Sequence, residues 1–151
     1  MKTYHITAAD LDEDGYYVGP LDLTEIVQGS INIAPDLGTV RFRRSLRVTG
    51  SILAGSGSGI SAGEGISAGR GIVAGRNITA GWGISAGEGI KSGWGIVAGL
   101  AITAATISSG LRVFAGTATW KLPEPHEMEV RARLLSGEVA FGTLIEPESV
   151  Q

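Results

Sequence analysis

Isoleucine returns every six residues through the middle of the chain, at Ile60, Ile66, Ile72, Ile78, Ile84, Ile90, Ile96 and Ile102. Each unit reads I-x-A-G-x-G. Ile and Ala lie two apart, so an extended backbone points both to one side. The residue between them points out: Ser61, Ser67, Val73, Thr79, Ser85, Lys91, Val97, Thr103. A six-residue period fits no helix, and two glycines per unit would cost a helix roughly 1 kcal/mol each. The pattern predicts a three-residue strand, then a three-residue corner at G-x-G, where glycine is expected to supply backbone angles that a β-carbon forbids. Repeated, this coils into an all-β, single-stranded β-helix (a β-solenoid) of stacked hexads with isoleucine ladders inside.

The spacing persists upstream through Val40, Leu46 and Ile52. Two extra residues in "AGSGSG" predict one bulged corner before Ile60. Downstream, Ile107 follows Ile102 by five residues and Val113 follows Ile107 by six. Two coil sizes fit. Three hexads per coil gives a triangular section, with Arg70 under Glu88 and Arg76 under Trp94. Two hexads per coil gives a flat section, with Glu64, Arg76 and Glu88 in one column and Arg70, Trp82 and Trp94 in another. Three faces are preferred, because a two-faced core of Ile and Ala is thin.

The hexad outlines a solenoid over 40–119, an irregular β cap over 1–39, and a small C-terminal helix/strand cap with a tail over 120–151. The first cap has β-like pieces at Tyr4–Thr7, Leu21–Ile26 and Ser30–Ile33. In the last, "PEPHEMEVRARLLSG" is read as a short helix: Pro125 suits a first turn, Glu127–Arg131 and Glu129–Arg133 are i,i+4 pairs, and Gly137 suits a C-cap. A hairpin turning at Ser136-Gly137 is the rival. "EVAFGTLI" reads as a strand.

Composition narrows the chemistry. Glycine is 24 of 151 residues, and its strict period argues against a linker. There is no cysteine, hence no disulfide and no thiolate metal site. Net charge is −3, too mild to choose a partner. The N-terminal stretch lacks a signal peptide's apolar run, and no apolar stretch approaches a membrane span; a soluble, cytoplasmic protein without cofactor is expected. His5 and His126 both lie outside the repeat, and no Ser or Thr has an evident His or Asp partner, so an enzyme is not expected.

Three groups could bind something. "DLDEDG" has Asp10, Asp12, Asp14 and Gly15 spaced like the opening of a calcium loop, but the twelfth place is Leu21 rather than Glu; a solvated acidic turn is expected, and no metal. "RFRRSLR" gathers Arg41, Arg43, Arg44 and Arg47, which could meet phosphate or an acidic partner. Residues 1–40 carry seven acids and one lysine, so the cap itself is the expected counter-charge and nucleic acid is not the expected partner. Trp82 and Trp94 stand in "GWG" corners, where solvent is expected, beside the corner charges Glu64, Arg70, Arg76 and Glu88. They either stack on neighbouring corners or contact a partner or second copy.

The units "GISAGEGI" and "GWGIVAG" and the closing "LLSGEVAFGTLIEP" resemble small uncharacterised proteins of prophages and other mobile elements. That resemblance implies a mobile-element context, and with it a non-catalytic protein that covers a surface of a bacterial defence complex of the CRISPR type. The solenoid also distantly resembles the bactofilin-like β-helices, which implies the alternative of a structural protein that assembles end to end. A homo-oligomer, preferably a dimer, is compatible with both. Hexapeptide-repeat acyltransferases put a small residue two before the aliphatic one. Here that place holds Glu64, Arg70, Arg76, Trp82, Glu88 and Trp94, which leaves an acyltransferase-like enzyme a distant third.

Overall fold

A computed structural model describes residues 2–146. The strands wind round three faces of a parallel β-solenoid. Face I stacks β1 (Thr3–Ile6), β2 (Ser30–Ile33), β5 (Ile52–Ala54), β8 (Ile72–Ala74) and β11 (Gly89–Ser92). Face II stacks β3 (Gly38–Phe42), β6 (Ser58–Ala62), β9 (Ile78–Ala80) and β12 (Ile96–Ala98). Face III stacks β4 (Leu46–Val48), β7 (Ile66–Ala68) and β10 (Ile84–Ala86). The long β13 (Ile102–Ala115) and β14 (Glu129–Phe141) each pass round all three faces, and β15 (Thr143–Ile145) closes on face III.

The register selects the triangular coil. Ile60 pairs with Ile78, Ile66 with Ile84 and Ile72 with Ile90, so each isoleucine stacks on the one three hexads further on. The ladders this makes are sealed: Ile52, Ile60, Ile66, Ile72, Ile78, Ile84, Ile90, Ile96 and Ile102 are all at most 1% exposed. The two-residue insertion sits at the bulged corner, where Gly57 takes φ +82° and Ser58 N–H bonds back to the Gly55 carbonyl at 3.0 Å.

The corner glycines serve another purpose than the sequence predicts. From Gly63 to Gly110 none lies in the left-handed region. What they share is a close approach between coils. A β-carbon on the first glycine of a corner would lie 2.3 Å from a carbonyl oxygen at Gly63, 2.2 Å at Gly69, 2.3 Å at Gly81 and 2.0 Å at Gly99. The second glycine is less confined, and Asn77 and Ala101 occupy its place in two corners.

The parallel ladder runs beyond the hexad at both ends. β1 and β2 continue face I, whereas 21–26 forms no strand. The helix expected over 123–137 does not form. Only Pro125–Met128 makes a 3-10 turn, and Glu129 onward is strand. Val130 and Ala132 are buried in alternation, and β14 satisfies the edge of β13. That outweighs i,i+4 pairs worth roughly 0.2–0.5 kcal/mol each. Those pairs do not form: Glu127 meets Lys121 at 2.8 Å and Glu129 meets Arg131 at 2.7 Å. Gly137, at φ +93°, is a corner within a parallel strand rather than a hairpin turn.

Candidate functional site

The three corners carry distinct columns. Between faces III and I, Glu88 N–H donates to the Arg70 carbonyl at 3.0 Å, and the Arg70 and Glu88 side chains pair at 3.6 Å. Both are well exposed, where such a pair contributes at most about 1 kcal/mol.

Between faces I and II, Trp94 N–H donates to the Arg76 carbonyl at 3.4 Å, and the Arg76 guanidinium lies 4.2 Å over the Trp94 ring. This corner is anchored from inside. Ser92 stands where the hexad has Ala, and its buried hydroxyl donates to the Arg76 carbonyl at 2.7 Å. Ser109 does the same for Trp94 at 2.9 Å. Leu111 follows on the column, exposed.

Between faces II and III, Glu64, Trp82 and Leu100 are joined by backbone bonds of 3.2 Å each. Trp120 arrives from beyond the hexad, with its ring centroid 6.3 Å from that of Trp82 and its indole N–H donating to the Gly81 carbonyl at 3.4 Å. Trp82 is still 44% exposed, Trp94 43% and Trp120 56%.

Trp82 leaves β9 and Trp94 enters β12, which are hydrogen-bonded neighbours on face II. Both rings therefore flank one face. Its outward column changes character along the solenoid: Arg41, Ser61, Thr79, then Val97, Phe114 and Phe141. A shallow groove of about 520 Å³ at the apolar part is lined by Val97, Leu111 and Phe114 and by Arg112 and Glu138, which pair at 4.0 Å.

Among the sequence-predicted residues, the structure gathers Trp82, Trp94, Arg76 and Glu64 around face II and leaves Arg70 and Glu88 on the opposite corner. Arg41 points out from the N-terminal end of face II, Arg43 and Arg44 occupy a corner, and Arg47 lies on face III. The cap bonds the backbone of Arg41 and meets the side chains of Arg43 and Arg47. Arg43 stacks 4.2 Å over Tyr16 and approaches Asp12 at 3.9 Å, and Arg47 donates to the Thr24 carbonyl at 3.2 Å. In "DLDEDG", one Asp12 carboxylate oxygen accepts from the N–H groups of Asp14 and Tyr16, both at 2.9 Å, and so ties a turn. Leu111, Phe114, Trp120 and Phe141 were not singled out by sequence. Phe114 holds an outward hexad place, a signal that the sequence carries, whereas Trp120 lies past the repeat and carries no periodic signal.

The loop bearing Trp120 is tied by Lys121 to Glu127. The Lys121 ammonium and the Glu124 N–H hold the Glu127 carboxyl below the usual carboxylate range. A depressed carboxylate stabilises at neutral pH, and that contribution is lost as pH falls through the lowered value. The Trp120 indole resonance is therefore expected to move on acidification, and Lys121→Ala to remove that movement. An identical titration in the variant would show that the ion pair does not hold the ring.

These features define a three-faced parallel β-solenoid with an apolar, tryptophan-flanked band on one face. No family model matches the chain, and no curated protein or solved structure matches it either. Among the described residues, no helix is long and apolar enough to cross a membrane.

Proposed function

We propose that the chain is a non-catalytic protein-interaction module that docks a protein partner on the C-terminal half of face II and its two flanking corners. The observation that carries this is the exposure of Trp82, Trp94 and Trp120 around the Val97–Phe114–Phe141 column, on a scaffold whose isoleucine core needs none of them. Large exposed apolar patches mark interaction sites, and tryptophan is enriched in their energetic centres. Buried serines hold the Trp94 corner in place before any partner arrives, which lowers the ordering cost of binding. The mobile-element resemblance gives the partner its most concrete form, a bacterial defence complex of the CRISPR type covered in the cytoplasm of the host cell.

The test uses cells with active CRISPR-type interference systems, one type per strain. Expression of the chain is expected to restore establishment of a targeted plasmid in one of them. The combined Trp82→Ala and Trp94→Ala substitutions are expected to abolish that restoration with an unchanged circular dichroism spectrum. A doubly substituted chain that protects as well as the parent overturns the assigned surface. A parent that protects in no strain overturns defence inhibition.

A further inference from the structure

We propose that two copies of the chain associate tail to tail through the C-terminal coil end, and that assembly stops at two. The two ends of the solenoid differ. At the N-terminal end β1 is the outermost strand on face I, while on face II Tyr16 continues the parallel ladder onto Arg41 and the next layer out runs backwards. Leu11 bridges Tyr17 antiparallel, Asp12 N–H donates to the Tyr16 carbonyl at 2.9 Å, and Val18 N–H donates to the Asp10 carbonyl at 2.7 Å. A reversed strand cannot be followed by another parallel coil. Leu11, Tyr17, Leu21 and Leu23 lie against the core there.

The C-terminal end has no such closure among the described residues. β15 pairs only with Glu129–Arg131, so the Arg133–Phe141 stretch of β14 is the outermost strand on faces I and II. The inward residues of this last rung, Leu134, Val139 and Leu144, are only partly buried. Their predecessors Ile107, Val113 and Val130 are fully buried. One apolar side chain per face stands exposed at the rim: Leu135 at 60%, Phe141 at 44% and Ile145 at 41%.

An open sheet edge invites strand pairing. The occupant that matches this edge on all three faces has the same triangular section and the same strand spacing, which is the same end of a second copy. Two identical ends meet through a two-fold axis and form a closed, isologous contact. Head-to-tail growth meets the reversed strand on face II.

Light scattering across a concentration series is expected to give twice 15.5 kDa as the limiting mass. Leu135→Lys, Phe141→Lys and Ile145→Lys together are expected to return the single-chain mass. Val18→Lys with Ile26→Lys, exposed at the other end, is expected to leave the dimer unchanged. So is Trp82→Ala with Trp94→Ala, which separates this contact from the tryptophan corners of face II. A parent that stays monomeric, a mass that climbs past two, or a dimer that survives the C-terminal lysines overturns the proposal.

Discussion

Gly87→Ala is expected to destabilise the chain by about 3 kcal/mol or more, while Gly65→Ala is expected to leave stability unchanged or to raise it by roughly 0.4–1 kcal/mol. The two substitutions are chemically identical and sit at the first place of one G-x-G corner and the second place of another. A β-carbon on Gly87 would lie 2.2 Å from the Gly69 carbonyl oxygen and 3.1 Å from its carbon. Both obstacles are backbone, and the Gly87 N–H is itself bonded to the Ala68 carbonyl at 3.1 Å in the coil below. Relief requires two coils to move apart and lengthens the ladder at that corner. A β-carbon on Gly65 meets nothing closer than the Gly83 carbonyl oxygen at 3.4 Å, an ordinary contact. Alanine there restricts only the unfolded chain. Urea denaturation of the pair measures the difference directly. Equal losses would overturn the steric account and return the glycines to a role in backbone angle.

That contrast marks where the sequence was legible. A period of six with Ile and Ala two apart dictated strands, corners and the inward face, because alternation in a strand leaves no other way to bury both. The stacking of Arg70 on Glu88 and of Arg76 on Trp94 follows from the three-hexad register alone, and both contacts are present. The reason for the glycines was not legible, since close approach between coils depends on backbone atoms of the neighbouring coil. Nor was the end of the solenoid. Val130 and Ala132 alternate as a strand does, but Glu127, Arg131 and Arg133 also fit a helix, and the unpaired edge of β13 decides between them. The candidate surface was half legible: "GWG" exposes Trp82 and Trp94, but Trp120 reaches Trp82 through an aperiodic loop.

Ile84→Ala is expected to cost about 3–4 kcal/mol, and Ile84→Val about 1 kcal/mol. Ile84 is 1% exposed and stands on face III between Ile66 and Ile102. Its side chain fills the core between the isoleucines of the other two faces, and the inward residues beside it on its own face, Ala68 and Ala86, are too short to close the void. The backbone cannot collapse inward either, because each coil is held at the ladder spacing by its neighbours. In a quasi-one-dimensional fold stability is carried by nearest-neighbour interfaces, so a defect in this coil weakens its coupling to the coils on both sides. Val130→Ala, at the last sealed rung, leaves most interfaces untouched and is expected to loosen only the end. Denaturant melts followed by circular dichroism should therefore show a reduced m-value for Ile84→Ala, as the two halves begin to unfold separately, and a parent-like slope for Val130→Ala. Hydrogen exchange should place the new openings on both sides of Ile84 in one variant and beyond β13 in the other. A uniform loss at both sites would mean that the solenoid unfolds as a single unit. The corners that carry Trp82 and Trp94 would then owe their rigidity to the whole coil stack rather than to the rungs beside them.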